Sequence, residues 1–302
     1  MKRNFDINFI VYSPFPEYVS YIGGATVPHT LAHQLSLLGA NVYLYANSTN
    51  PKYNITCIPW GTDLIFDKEN TIVIFIAGAG EHTWEHLVPE NLKNAPNIVR
   101  WLVNDQVRLY PKEDKFYTYH KYWDVLDGQI IDGDLSVIEV DYDLFKDNGL
   151  PRQGTCYLMK GNYNAENIIH QEEDFCIDSV FYNIPNEDKM KFYADLFNQM
   201  EYFISYTPYT FTSVLAAMCG CKSIIATQTE YGGKKFNKDK WLNEIWCAKY
   251  GIALGLDDLP RAISTMNKVI PNIKEYELVT QHHQISTFIN NCYDWLQQKY
   301  QL

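Results

Sequence analysis

The stretch from Tyr202 to Thr227, YFISYTPYTFTSVLAAMCGCKSIIAT, sets the folding class. Tyr202-Phe203-Ile204-Ser205-Tyr206 is a short aromatic and β-branched run, the pattern of a buried strand. Thr207-Pro208-Tyr209 ends it, because Pro208 has no N–H for a ladder bond and presets a turn. The pattern predicts a helix from about Thr210 to Cys219, with Thr210 or Thr212 as N-cap and Gly220 at the stop. Lys222 to Ala226 is a second β-branched run. Strand, turn, helix, strand is the unit of a parallel α/β sheet. Its turn joins a strand's carboxyl end to a helix's amino end, where free N–H groups and the helix dipole favour a phosphate. The same pattern is also what any ligand-free βαβ unit would show.

The rest of the chain repeats this alternation. Ile7 to Tyr12 is a compact apolar strand, and the loop after it carries two prolines and the pair Gly23-Gly24. A helix is predicted near Val27-Pro28, with Thr26 as N-cap, Val27, Leu31, Leu35 and Leu38 as its buried stripe, and Gly39 as its stop. Asn41 to Ala46, Thr71 to Ala77, Asn97 to Val103, Val125 to Ile131 and Leu135 to Val140 read as further strands. Strand, glycine loop, helix, strand is the first half of a Rossmann-like domain, although the glycines do not spell G-x-G-x-x-G. Composition shifts after Asp141-Tyr142-Asp143, toward Asp147-Asn148-Gly149-Leu150-Pro151, which places a domain boundary at about residue 150. The expected domains are therefore 1–149 and 150–302. In the second, Thr155 to Met159 and Phe175 to Tyr182 read as strands, Asn164 to Gln171 as a short helix, and Asn186 to Gln199 and Glu275 to Gln298 as longer helices.

Composition excludes several classes. With 46% hydrophobic and 20% charged residues over 302 positions, the chain is a globular protein long enough for two domains. Its 36 acidic against 25 basic residues give a formal charge of −11, a field that repels nucleic acid and anionic membrane. No apolar run approaches the roughly 20 residues of a membrane span. Met1-Lys2-Arg3 is followed by no apolar core with a cleavage site, and the seven scattered cysteines show no zinc spacing, so a cytoplasmic protein with reduced thiols is expected.

Several phrases resemble the glycosyltransferases with two facing Rossmann-like domains, the GT-B fold, and in particular bacterial surface-polysaccharide glycosyltransferases related to the retaining family GT4. Ser205, Tyr206, Pro208, Tyr209, Thr210, Ser213, Ala216, Ala217, Cys219, Gly220, Cys221 and Ser223 fit that family's S-Y-D-P-Y-T-x-x-S-x-x-A-A-x-C-G-C-x-S pattern. Gly23, Gly24, His29 and Leu31 fit its G-G-x-x-x-x-H-x-L opening, and Val99-Arg100-Trp101-Leu102 with Asn104 fits V-R-W-L-x-N. The resemblance implies an α/β protein with two domains facing across a cleft, the last helix packing back toward the first domain. It implies transfer of a sugar from a nucleotide-sugar donor to a glycan or glycolipid acceptor, with no metal and no other cofactor. Any membrane association would be peripheral, through the acceptor.

By the same resemblance Lys160, at the end of the first strand of the second domain, matches the basic residue used on the donor diphosphate. Gly23, Gly24, Tyr209, Thr210 and Ser213 become candidate donor contacts, and His29 and Asp105 candidate catalytic residues in the cleft. Each has a plainer alternative: a solvated lysine at a strand end, a capping threonine, an ordinary histidine. The chain departs from the broader family where two glutamates eight apart fall on Pro208 and Ala216, so recognition of a hexose by that pair is not carried over. That departure leaves a non-catalytic nucleotide-sugar-binding relative as the alternative, and the acidic charge counts against a nucleic-acid-modifying transferase. Two metal patterns are weak. His29 and His33 share a helix face at i, i+4 without the glutamate of H-E-x-x-H. Asp141-Tyr142-Asp143 resembles a D-x-D, but aspartates favour turns. Lys234, Lys235, Lys238 and Lys240 form the basic cluster.

Overall fold

A computed structural model describes residues 6–77, 88–103, 108–119, 125–160, 167–226, 230–231, 234–235, 239, 241–242 and 249–302. The chain divides into two compact units, Met1–Glu139 with Glu277–Leu302, and Val140–Tyr276. The first crossing lies at Glu139, before the charged Asp141–Leu150 segment rather than at its end. The chain returns to the first unit inside a π-helical stretch, Tyr276–Gln281.

The first unit is built on a seven-stranded parallel sheet. Its strands are β1 (Asn8–Tyr12), β2 (Asn41–Tyr45), β3 (Thr56–Ile58), β4 (Thr71–Ala77), β5 (Ile98–Leu102), β6 (Lys115–Thr118) and β7 (Gly133–Asp134), in the order β3-β2-β1-β4-β5-β6-β7. A sheet covered on both faces needs strands that are apolar throughout, and β4, TIVIFIA, is buried along nearly its whole length. Helix α1 (Gly23–Leu37) and the last helix, α8 (His282–Tyr300), contribute to the core on one face. There Leu31 and Leu35 join Phe9, Val11, Leu44, Ile285, Phe288, Ile289 and Leu296 in one cluster. The other face buries Ile10, Tyr12, Tyr45, Val73 and Phe75 beneath Leu92 of α2 (Glu90–Lys93) and the segment carrying Trp60, Leu64 and Phe66.

The second unit holds a five-stranded parallel sheet of β8 (Thr155–Leu158), β9 (Phe175–Cys176), β10 (Tyr202–Ser205), β11 (Lys222–Ile225) and β14 (Ile252–Leu254), in the order β14-β11-β10-β8-β9. A separate antiparallel pair joins β12 (Glu230–Tyr231) to β13 (Lys234–Lys235). Helices α3 (Asp178–Phe181), α4 (Lys189–Gln199), α5 (Thr212–Met218), α6 (Leu259–Ser264) and α7 (Val269–Glu275) complete the unit. Both sheets are thus Rossmann-like α/β layers. Among the described residues no helix is long and apolar enough to cross a membrane.

Several local expectations are corrected. Helix α1 begins at Gly23, so Thr26 lies in its first turn, where its hydroxyl donates to Gly23 O at 3.1 Å. The predicted stop is met, with Gly39 at φ 78° after the helix. Helix α5 begins at Thr212, two residues later than the pattern predicts. Val125–Ile131 forms no strand, and Leu135–Val140 is buried apolar chain outside the ladder. Its N–H groups go elsewhere: Leu135 donates to Thr118 O, and Ser136 and Ile138 donate to glutamine side chains of the last helical stretch. Phe175–Tyr182 is two residues of strand followed by α3, and 167–170 is not helical.

Candidate functional site

In the second unit the chain leaves β8 to one side, toward β9, and later places β10 on the other side. That reversal falls between β8 and β10, and the carboxyl ends of strands at such a reversal are where open α/β sheets take ligands. Lys160 follows β8 there, and the turn Thr207–Thr210 follows β10. The strands run in parallel register, Leu158 opposite Ser205, so the two segments emerge side by side.

Lys160 has φ 49°, the left-handed region, one of two described non-glycine residues with positive φ. For a side chain with a Cβ this costs roughly 1–2 kcal/mol, and such strain concentrates at functional positions. The conformation is held from outside: Asp178 Oδ2, in the first turn of α3, accepts the N–H of Met159 at 2.6 Å and that of Lys160 at 3.4 Å. The Lys160 ammonium then reaches Thr210 Oγ1 at 2.9 Å. Lys160 is exposed as a residue, while its ammonium is seated on Thr210. Desolvation lowers its pKa below the ordinary lysine value, and the Asp178 carboxylate opposes that shift.

From Thr210 a chain of hydroxyls runs into the unit. Thr210 Oγ1 accepts the N–H of Thr212 at 3.3 Å and donates to Thr212 Oγ1 at 3.1 Å, and Thr212 in turn bonds the Tyr193 hydroxyl. The N-cap of α5 is Phe211, which supplies no side-chain bond, so neither Thr210 nor Thr212 is the predicted cap; Thr210 ties the Thr212 N–H from one residue further out while also receiving the lysine. Ser213 is 1% exposed, and its Oγ has no hydrogen-bond partner among the described residues. A buried hydroxyl left unmatched carries a desolvation cost that a ligand can remove. The turn itself is tied by Ser205 Oγ, which donates to Thr207 O at 2.9 Å and accepts the Thr207 N–H at 3.2 Å. Pro208 O accepts Trp241 Nε1–H at 2.9 Å. Tyr209 is half-buried in this turn.

On the opposite face of the same strands Tyr206 organises the chain that covers them. Its hydroxyl accepts the N–H of Ile169 at 2.9 Å and of His170 at 3.2 Å, and lies 2.7 Å from His170 Nδ1. The His170 ring stacks on Tyr157 at 3.7 Å between centroids. Burial raises the Tyr206 pKa.

The first unit shows its own strand-order reversal, between β1 and β4. Gly23 and Gly24 open α1, whose N-cap residue Ile22 supplies no side-chain hydrogen bond, and a Cβ placed on Gly23 would meet nothing within 4 Å. His29 lies one face of α1 further on and is 0% exposed. Its Nε2 is 3.3 Å from Ser13 Oγ and its Nδ1 is 3.3 Å from Thr49 Oγ1, so both ring nitrogens are engaged. Burial lowers its pKa to about 4, which keeps the ring neutral at pH 7. His33 points to another partner, stacking on Tyr53 at 4.2 Å, so the two histidines do not converge on one ion. Tyr53 hydroxyl donates to Glu139 Oε2 at 2.5 Å, a pair that spacing in the sequence does not suggest. Asn50 Nδ2 donates to the Tyr18 hydroxyl at 3.2 Å; burial and the Glu139 charge push the Tyr18 pKa up to about 12.

Asp105, Lys238 and Lys240 lie outside the described residues. Asp141 Oδ1 accepts the N–H of Asp143 at 3.2 Å and of Leu144 at 3.1 Å, which makes the D-x-D segment a turn. The second unit thus brings Lys160 onto Thr210, with Tyr209 on the same β10–α5 connection and the buried Ser213 in the first turn of α5, and the sequence reading assigned Asp178, Thr212 and Tyr193 no place in the site. An aspartate just after a short strand was the one signal available for Asp178. Among known proteins, no family model and no curated protein matches this chain.

Proposed function

We propose that this chain is a metal-independent glycosyltransferase of the GT-B arrangement, moving a sugar from a nucleotide-sugar donor to a glycan or glycolipid acceptor. One observation carries the reading: a lysine held in left-handed backbone at the switch point of the second sheet, its ammonium on Thr210 Oγ1. In this reaction the acceptor hydroxyl oxygen bonds to the anomeric carbon as the bond from that carbon to the diphosphate oxygen breaks. The electron pair leaves on the diphosphate, and the acceptor proton passes to a base. A fixed cation with hydroxyl donors stabilises that growing negative charge without reorganisation at the moment of reaction. Lys160 takes the charge in this reading, Ser213 donates to a phosphate oxygen, Thr210 does so once its hydroxyl turns from Thr212 Oγ1, and Tyr209 lines the donor. Gly23 and Gly24 open α1 without a side-chain cap, which suits an anionic oxygen there. His29 holds the loops after β1 and β2 through Ser13 and Thr49, and Asp105 is the proposed base. A cytoplasmic location fits the free thiols among the described cysteines.

A second reading, a relative that binds nucleotide sugar without turning it over, draws on the two positions that lack glutamates. Pro208 and Ala216 are both buried, and the Pro208 carbonyl is occupied by Trp241. The formal charge of −11 counts against a nucleic acid acceptor.

A thermal-shift screen against UDP-, GDP-, TDP- and CMP-sugars tests the proposal. A donor at 100 times its Kd adds about 2.7 kcal/mol of apparent stability, so one base class should raise Tm clearly. Release of nucleoside diphosphate from that donor then separates transferase from binder. If no nucleotide sugar raises Tm, both readings fall.

A further inference from the structure

Lys160 cannot hold its place through its own side chain. A left-handed lysine is disfavoured in isolation, and the side chain's hydrogen bond, to Thr210 Oγ1, fixes only the far end. The backbone is set instead by one carboxylate oxygen. Asp178 Oδ2 sits beneath two successive amides, those of Met159 and Lys160, and turns the chain at the end of β8. An aspartate in the first turn of a helix is ordinarily explained by that helix's own N–H groups. Here the side chain's bonds run to the end of β8, to the residues that present the ammonium.

We propose that Asp178 is a positioning residue for Lys160: it clamps the Met159–Lys160 backbone in the left-handed turn that aims the ammonium at a bound diphosphate. The proposal rests on the donor-diphosphate reading of Lys160 given above. It also explains why a carboxylate is kept close to a site meant for an anion. Its negative charge is directed at backbone N–H groups, and it supports the charged form of a lysine that burial alone would discourage. Among the described residues a line of hydroxyls continues from the site: Thr210 just before α5, Thr212 at its start, and Tyr193 of α4, which feels the Asp178 charge.

The test uses the full chain and inorganic pyrophosphate, with affinity measured by calorimetry. Lys160→Ala should weaken pyrophosphate about ten- to a hundredfold, as expected for loss of a charge-assisted bond. Asp178→Ala should weaken it by roughly tenfold when Lys160 is present and by less than about twofold in a Lys160→Ala background, since a positioning effect vanishes with what it positions. Asp178→Asn, whose amide oxygen accepts the same two N–H groups, should recover most of the affinity. An equal loss from Asp178→Ala in both backgrounds would overturn the positioning role and leave the reading of Lys160 intact. Pyrophosphate binding indifferent to Lys160→Ala would instead sink the diphosphate reading. A ligand-free measurement decides the positioning role even then. The Lys160 Cα and Cβ chemical shifts should leave left-handed values in Asp178→Ala and keep them in Asp178→Asn. Left-handed shifts persisting in Asp178→Ala would refute the clamp.

Discussion

Gln281 Oε1 accepts the backbone N–H of Ile138 at 2.6 Å, and three residues on Gln284 Oε1 accepts that of Ser136 at 2.9 Å. These alternate N–H groups belong to a buried apolar segment that would otherwise need another strand. The end of the chain thus finishes the first unit chemically as well as by packing. Gln281→Leu keeps the bulk but leaves the Ile138 N–H buried and unmatched, which should cost about 1–3 kcal/mol. Urea unfolding would give the loss, and faster hydrogen exchange at Ile138 would locate it.

Gly251 precedes β14 with φ 70°, and a Cβ there would lie 2.3 Å from Val269 Cγ2 and 3.3 Å from Ala217 Cβ. Left-handed backbone and a collision with Val269 act together, with Ala217 already at tight contact. Gly251→Ala should destabilise by at least about 2 kcal/mol, from roughly 1–2 for the backbone and 1–3 for overpacking. A Tm unchanged within one degree or so would contradict the crowding.

Where a strand is buried on both faces its residues are mostly apolar, and such strands could be read directly: Asn8–Tyr12, Thr71–Ala77, Tyr202–Ser205 and Lys222–Ile225 fall within or beside their predicted spans. The same rule misleads at Leu135–Val140, because burial produces the pattern and only the distant Gln281 and Gln284 decide that no ladder forms. Short strands such as Lys115–Thr118 and the edge strand Gly133–Asp134 carry too few residues to register. Lys160 and Thr210 were legible as ends of elements. What was hidden is their meeting, which depends on strand order, and the left-handed turn, which depends on an aspartate in a different helix.

Replacing Lys160 separates strain from chemistry. Lys160→Ala should lower transfer by roughly 10²–10³ while leaving Tm nearly unchanged, because the side chain adds little packing. Lys160→Arg should recover only part, since a planar fork does not replace a compact ammonium. Lys160→Gly should be equally inactive yet more stable than Lys160→Ala by up to about 1 kcal/mol, because glycine accepts positive φ without a Cβ penalty. Initial rates with the donor found by thermal shift, set beside urea midpoints for the three variants, check all of this. Full activity in Lys160→Ala would move the diphosphate elsewhere.

The last prediction concerns His29, whose pKa burial lowers from 6.5 to about 4. In the unfolded chain the ring takes a proton as pH falls through about 6.5; in the folded chain it resists until about 4. The unfolded state therefore binds more protons across that interval. The stability from keeping His29 neutral is complete above about pH 6.5, declines as pH falls, and is exhausted near pH 4. At 1.36 kcal/mol per unit, the full effect is about 3 kcal/mol. Acidic side chains add their own pH dependence, so the informative quantity is the difference from His29→Gln, which cannot titrate. Wild type should lose its stability relative to this variant by about 2 kcal/mol between pH 7 and pH 5, read from urea midpoints. A difference that stays constant over that range would mean the ring is solvated, and the tight Ser13–His29–Thr49 contact would then not hold in solution.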